Sequence, residues 1–277
     1  MTNNSTQNVA TQFLPTGEGR IAFDVTGTGP LVVLVPGMGD LRSSYRLLRP
    51  KLVSAGYTVV TTDLRGHGES DANFGSYGDG DTARDLTALV ESLQQRAFII
   101  GNSMAAGAAV LVGSARPDLV NGLVLVGPFV REPATSSALS RGFLRVVLAK
   151  PWAAIAWKNY LPKLYAGTKP ADFDSYRDHV FQSLRRPGYA KSFSLTTRTR
   201  HTEAASQLTN VTAPTLVVMG TQDPDFKDPR KEADWIGQTL HARVVMIDDA
   251  GHYPQSQQPD STASAIIEFL GQVKVDG

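Results

Sequence analysis

The sequence predicts an α/β fold: a doubly wound, mostly parallel sheet with a helical cap inserted between late strands. Three observations carry this. Short β-branched runs recur, and some are apolar at every position, as in Leu31-Val32-Val33-Leu34-Val35. A strand covered on both faces needs that pattern, whereas a strand open to water on one face alternates. Between the runs lie amphipathic helical patterns, in the β-then-α order of parallel crossovers. From about 130 to 208 the rhythm stops, and aromatic helical patterns broken by prolines replace it.

The elements follow in order. Met1 to Gln12 is polar, so residues 1–19 read as a loose N-terminal tail. Strands are expected at Arg20–Thr26, Leu31–Val35, Tyr57–Thr62, Ala97–Gly101, Gly122–Gly127, Thr215–Gly220 and Arg243–Asp248. Helices are expected at about Ser43–Ala55, Asp81–Gln95, Met104–Ala115, Asp228–Leu240 and Ser261–Gln272. The turn Gly27-Thr28-Gly29-Pro30 suggests that the first two strands pair as an antiparallel hairpin. The sheet core then covers 20–129 and 209–277, and the cap covers 130–208. In the cap, Pro133, Pro151, Pro162, Pro170 and Pro187 cut the chain into short helices. Most of its aromatics (Trp152, Trp157, Tyr160, Tyr165, Phe173, Tyr176, Phe181) read as the packing of a small helical subdomain.

Composition narrows the chemistry. The 277 residues hold no Cys, which removes disulfides, thiolate metal sites and a Cys nucleophile. Twenty-seven Lys and Arg stand against 26 Asp and Glu, a net charge of +1. That balance gives no footprint for nucleic acid or an anionic membrane, and the expected partner is a small-molecule substrate. No apolar run approaches the roughly 20 residues of a spanning helix. The polar N-terminus lacks the pattern of a secretory signal, so a cytoplasmic protein is expected. No close His pair with carboxylate spacing suggests a metal. Gly37-Met38-Gly39 lacks the third Gly of a dinucleotide fingerprint, so no cofactor is expected. Oligomeric state is not legible.

The chemical signal is Gly101-Asn102-Ser103-Met104-Ala105, with a strand before it and a small-residue helix after it. A nucleophile elbow, G-x-S-x-G, needs that context. The turn lifts the Ser103 hydroxyl beyond the strand end, above the helix N-terminus, and strand and helix approach closely enough to demand small residues. Ala105 stands where the pattern has its second Gly. On these residues the chain resembles the α/β-hydrolase superfamily from roughly Arg20 to the C-terminal helix. Gly101-Asn102-Ser103-Met104 also resembles the elbow of the meta-cleavage-product carbon–carbon hydrolases, whose next residue is Gly. Asp63-Leu64-Arg65-Gly66-His67-Gly68-Glu69-Ser70 resembles a further family signature, a charged turn in which His67 is structural.

The resemblance implies a Ser-His-Asp triad. His252 follows the last strand at the carboxyl edge of the sheet, where open α/β sheets place their sites, and it comes last in the chain as that order requires. Three carboxylates compete for the acid: Asp223, Asp225 and Asp228. The family position is Asp223, which Pro224 also biases toward extended backbone; Asp228 reads as a helix N-cap. Oxyanion donors are expected at the backbone N–H of Met104 and of Met38. The loop bearing Met38 begins with Pro36 where the family usually has His. Candidate substrate contacts are Asn102, Trp152, Trp157, Arg198 and Tyr253. Arg198 belongs to a basic set with Arg141, Arg145, Lys150, Arg185, Arg186 and Arg200, otherwise a solvated cap surface.

The implied activity is cofactor-independent hydrolysis of an ester, thioester or lactone. A carbon–carbon bond hydrolase and a hydrolase-like small-molecule receptor stand as alternatives. Tyr253 departs from the Trp that such carbon–carbon hydrolases usually carry after the final Gly-His.

Overall fold

Eight strands form one sheet among the residues described by the computed structural model, 10–132, 147–149 and 151–274. They are β1 (Gln12–Pro15), β2 (Arg20–Thr26), β3 (Leu31–Val35), β4 (Thr58–Thr62), β5 (Ala97–Asn102), β6 (Val120–Val126), β7 (Thr215–Gly220) and β8 (Arg243–Ile247). Their order is β1-β2-β4-β3-β5-β6-β7-β8. From β4 to β8 every neighbouring pair is parallel; β1 and β2 are antiparallel to their neighbours.

Two expectations fail here. The Gly27–Pro30 turn does not make a hairpin: β2 pairs with β4, Phe23 opposite Thr62, and β3 lies beyond β4. The real hairpin joins β1 to β2, Phe13 opposite Ala22. Residues 12–15, assigned to the loose tail, are therefore an edge strand, held by a ladder its mostly exposed side chains do not announce.

The helices are α1 (Arg49–Ser54), α2 (Asp79–Ser92), α3 (Met104–Ala115), α4 (Ala153–Leu164), α5 (Phe173–Arg185), α6 (Tyr189–Thr196), α7 (Thr202–Gln207), α8 (Pro229–Leu240), α9 (Pro254–Gln257) and α10 (Pro259–Gln272). The helix expected over Ser43–Ala55 splits into a 3-10 turn, Arg42–Tyr45, and α1. Pro50 explains the break, since it has no N–H to donate and fits only the first turn of a helix.

Strand alternation divides the core. Val33, Val35 and Ile99 face α2, α3 and α8, through Leu86, Leu89, Ala106, Val110, Ala233 and Ile236. Val32, Leu34, Phe98 and Ile100 face the other way, onto Leu52 of α1 and Ile266 and Phe269 of α10. Each central strand is thus buried on both sides, which accounts for its unbroken apolar run. Between β6 and β7, helices α4 to α6 carry a third cluster of their own, in which Trp157, Leu161, Tyr165, Phe173, Tyr176 and Phe193 pack together and reach down to Leu41 and Tyr253; Ala204 of α7 joins the sheet core. Pro133, Arg141, Arg145 and Lys150 lie outside the described residues. No helix among the described residues is long and apolar enough to cross a membrane.

Candidate active site

Ser103 stands between β5 and α3 with φ 58° and ψ −123°, backbone angles that a residue with a side chain rarely adopts. Such strain persists only where the surroundings over-determine it. Here Ser103 N–H donates to the Val126 carbonyl at 2.9 Å, and the Ser103 carbonyl accepts from Ala106 and Phe129. A methyl on Gly101 would lie 2.4 Å from the Ala105 carbonyl oxygen. The tightest strand–helix approach is therefore at Gly101, and the Ala105 methyl is buried without occupying that gap.

His252 sits in the loop between β8 and α9, 2 % exposed. Its Nδ1 lies 2.7 Å from Asp223 Oδ2 and 3.7 Å from Asp225 Oδ2. With Nδ1–H donated to Asp223, the neutral ring carries its lone pair on Nε2. Asn102 ties this loop to the elbow: its Nδ2 donates to the Val126 carbonyl at 3.0 Å and the His252 carbonyl at 3.1 Å. Among the described residues Ser103 Oγ makes no hydrogen bond to the His252 ring, and such contacts commonly tighten only when substrate binds. Asp223, Asp225 and His252 are also the one grouping with metal-ligand spacing among the described residues. The Nδ1–Asp223 hydrogen bond already uses that spacing as an acid–base pair.

Burial acts to lower the His252 pKa, but the Asp223 charge and hydrogen bond, with Asp225 behind them, raise it overall to about 9. A base must be deprotonated to accept a proton. The acid limb of kcat/KM is therefore expected near pH 9 rather than 6.5, with activity climbing into the alkaline range; a pH–rate profile measures it. Stability runs the opposite way. A folded pKa above the unfolded one contributes stability fully present below 6.5 and lost as pH rises through about 9.

The second half of the site is the loop Pro36-Gly37-Met38-Gly39-Asp40. A Cβ on Gly37 would lie 2.7 Å from Ser103 Cβ, so this loop closes directly over the elbow. Neither the Met38 nor the Met104 N–H is spent on an acceptor among the described residues. Gly39 is pinned from two sides. Its N–H donates to His67 Nε2 at 2.9 Å, and its carbonyl accepts from Trp157 Nε1 at 2.7 Å. His67 faces the Arg65 carbonyl through Nδ1, and burial lowers its pKa to about 4, so it stays a neutral acceptor. The rest of its motif is a scaffold: Asp63 accepts from the Arg42 and Glu69 N–H groups, and Arg65 clamps Asp85 with two hydrogen bonds. Asp40, fully buried, accepts from Leu41 N–H and the Tyr176 hydroxyl; burial pushes its carboxyl up to about 6.

The remaining candidates divide. Trp157 and Tyr253 are buried beside the site; Tyr253 stacks on Tyr165 at 4.7 Å and meets His252 edge-on at 5.2 Å. Asn102, expected to meet substrate, is fully buried; its Nδ2 donates to two carbonyls, and its Oδ1 has no partner among the described residues. Trp152 is not brought to the site: it is 48 % exposed at the N-cap of α4, five residues and so about 140° round the helix from Trp157. Arg198 is also not brought in, and points to solvent in the turn after α6. Asp228 caps α8, accepting from Lys231 N–H at 3.1 Å.

The roles of three residues are not legible in the sequence. Phe129 packs between His252 and His201, at ring distances of 5.8 and 5.6 Å. His201 pairs with Asp79 at 2.8 Å, joining the start of α7 to α2. Tyr160 donates to Asp225. None has a local pattern; each contact joins segments far apart in the chain.

A strained serine at a helix N-terminus and a buried His–Asp pair thus lie on one sheet edge. The model of the "Alpha/beta hydrolase family" matches residues 32–265, and the chain belongs to that family of enzymes. It is 27% identical over 266 residues to a 2-(acetamidomethylene)succinate hydrolase of Mesorhizobium japonicum, covering 91% of this chain and 92% of that protein. It is 34% identical over 272 residues to an uncharacterised protein of Mycobacterium tuberculosis, covering 91% and 78%. Among solved structures it is similar to a thermophilic esterase from Thermogutta terrifontis, with TM-score 0.80, 26% identity and coverage of 95% and 98%.

Proposed function

We propose that the protein is a serine hydrolase that cleaves an ester, thioester or lactone of a small, partly apolar substrate through an acyl-enzyme. The observation that carries the reading is the 2.7 Å Nδ1–Oδ2 contact between buried His252 and Asp223, on the edge where Ser103 is held strained. His252 Nε2 takes the Ser103 hydroxyl proton as Oγ bonds to the substrate carbonyl carbon. The carbonyl oxygen becomes an oxyanion facing the Met38 and Met104 N–H groups. His252 returns its proton to the leaving group as that bond breaks, which leaves Ser103 acylated. It then deprotonates a water that attacks the acyl carbon, and Ser103 regains its proton as the acid leaves. Asp223 holds the tautomer and stabilises the imidazolium. The aromatic helices α4 to α6 cover the site as a lid and supply its apolar wall. The hydrolase and esterase names of two relatives support this chemistry.

A fluorophosphonate is expected to label the protein at Ser103, located by peptide mapping, and p-nitrophenyl esters or lactones are expected to turn over. Labelling elsewhere, or binding of all these compounds without consumption, overturns the reading. Turnover of vinylogous diketones alone moves it to carbon–carbon bond hydrolysis.

A further inference from the structure

Two carboxylates lie within 4 Å of His252 Nδ1, and the farther one is bonded to the cap. Asp225 Oδ2 lies 3.7 Å from His252 Nδ1, inside ion-pair range but off the hydrogen-bond axis that Asp223 occupies at 2.7 Å. Its backbone N–H donates to Asp223 Oδ1 at 3.0 Å, so the two acids form one unit. The other oxygen, Oδ1, accepts the Tyr160 hydroxyl at 3.0 Å. Tyr160 belongs to α4 and is 40 % exposed, so this contact lies at the outer seam of cap and core. The same helix supplies Trp157 to Gly39, and its Leu164 carbonyl accepts the His252 N–H at 2.8 Å. One cap helix therefore touches the oxyanion loop, the base and the second acid.

We propose that Asp225 is a second acid of the catalytic base, and that Tyr160 is the positioning residue through which the cap holds it against His252. The inference rests on the hydrolase reading above. The titratable groups facing the ring are Asp223 and Asp225 from the loop after β7, Asp40 from the oxyanion loop, and Tyr253 beside it; Tyr160 faces Asp225 from α4. Burial, with the Asp223 charge, holds the Asp225 pKa above its ordinary value, against the His252 charge and the Tyr160 hydrogen bond, which lower it. Without the phenol, Asp225 keeps its proton to higher pH and its charge on the ring weakens. An ionised Asp225 stabilises imidazolium during the reaction and raises the resting pKa of the base. When the cap helix is displaced, that contribution weakens, so the base is tuned by cap position.

The test is the pH dependence of fluorophosphonate labelling at Ser103, together with the downfield proton resonance of His252 Nδ1–H. Asp225→Asn is expected to move the acid limb about one pH unit lower. Tyr160→Phe is expected to move it the same way and less far, and to add nothing in the Asp225→Asn background. Asp223→Asn is expected to retain labelling that the Asp223→Asn/Asp225→Asn pair loses. An unmoved limb and resonance in Asp225→Asn, with melting unchanged, overturns the proposal; so does a Tyr160→Phe effect that adds fully to Asp225→Asn. If wild-type Ser103 is not labelled at all, the hydrolase reading fails instead, and the resonance still titrates with or without Asp225.

Discussion

Ser103→Ala is expected to lower turnover about 10⁴- to 10⁶-fold while the protein stays folded. The chemistry leaves no substitute nucleophile. The chain has no Cys, and the buried Tyr45 hydroxyl behind the elbow is donated to the Val35 carbonyl. Residual rate would come only from binding and the oxyanion donors. His252→Ala is expected to cost nearly as much alone, and the pair no more than either single change, because the two act as a unit. Stability behaves differently. Alanine meets the same strained φ of 58°, so Ser103→Ala is expected to melt close to wild type. Ser103→Gly removes a backbone cost of about 1–3 kcal/mol and is expected to melt at or above Ser103→Ala, though equally inactive. Thermal melts beside kcat separate the two effects. A Ser103→Ala protein that keeps substantial turnover sinks the assignment.

Some of this was legible because burial writes itself into local sequence. Leu31–Val35 has to be apolar throughout, since it is covered on both faces, and the apolar run and the strand share the same bounds. Ser103 was legible because a tight turn after a buried strand restricts which residues fit, and His252 because the family order puts its base last, after the final strand. Pairing was not legible. Whether β2 joins β3 or β4 depends on Phe23 meeting Thr62, nearly forty residues away, and the Gly-rich turn serves either arrangement. An edge strand such as Gln12–Pro15, exposed on most positions, leaves no pattern at all.

The site divides along the same line. Pro224 pointed to Asp223, but two carboxylates two residues apart both reach Nδ1, and only the fold ranks them by distance. Trp152 and Trp157 looked alike because the phase of a helix whose start is set by prolines cannot be read from its aromatics. The departure at Pro36 left the oxyanion loop without its usual His. What steadies it instead comes from His67, 28 positions from Gly39, and from Trp157, 118 positions away, neither of which announces that role locally.

That two-sided support makes Gly37→Ala the second large effect. The added methyl would lie 2.7 Å from Ser103 Cβ and 3.3 Å from its Oγ, so either the loop or the nucleophile has to move. A free loop would simply retreat. This one is fastened: Gly39 is held through both its N–H and its carbonyl, Asp40 is bonded to Tyr176, and the Val35 carbonyl just before the loop accepts the Tyr45 hydroxyl at 2.9 Å. The displacement therefore falls on the distance between the oxyanion and the Met38 N–H. Losing one such donor costs about 10²- to 10³-fold in kcat, with KM little changed because the interaction belongs to the transition state. The overpacking is expected to cost about 1–3 kcal/mol of stability, a smaller share of the phenotype. Gly17→Ala, where an added methyl meets nothing within 4 Å, is the control and is expected to change neither. Equal kcat for Gly37→Ala and Gly17→Ala on the same ester would mean that the oxyanion is held elsewhere, and that the pinning of Gly39 serves the fold alone.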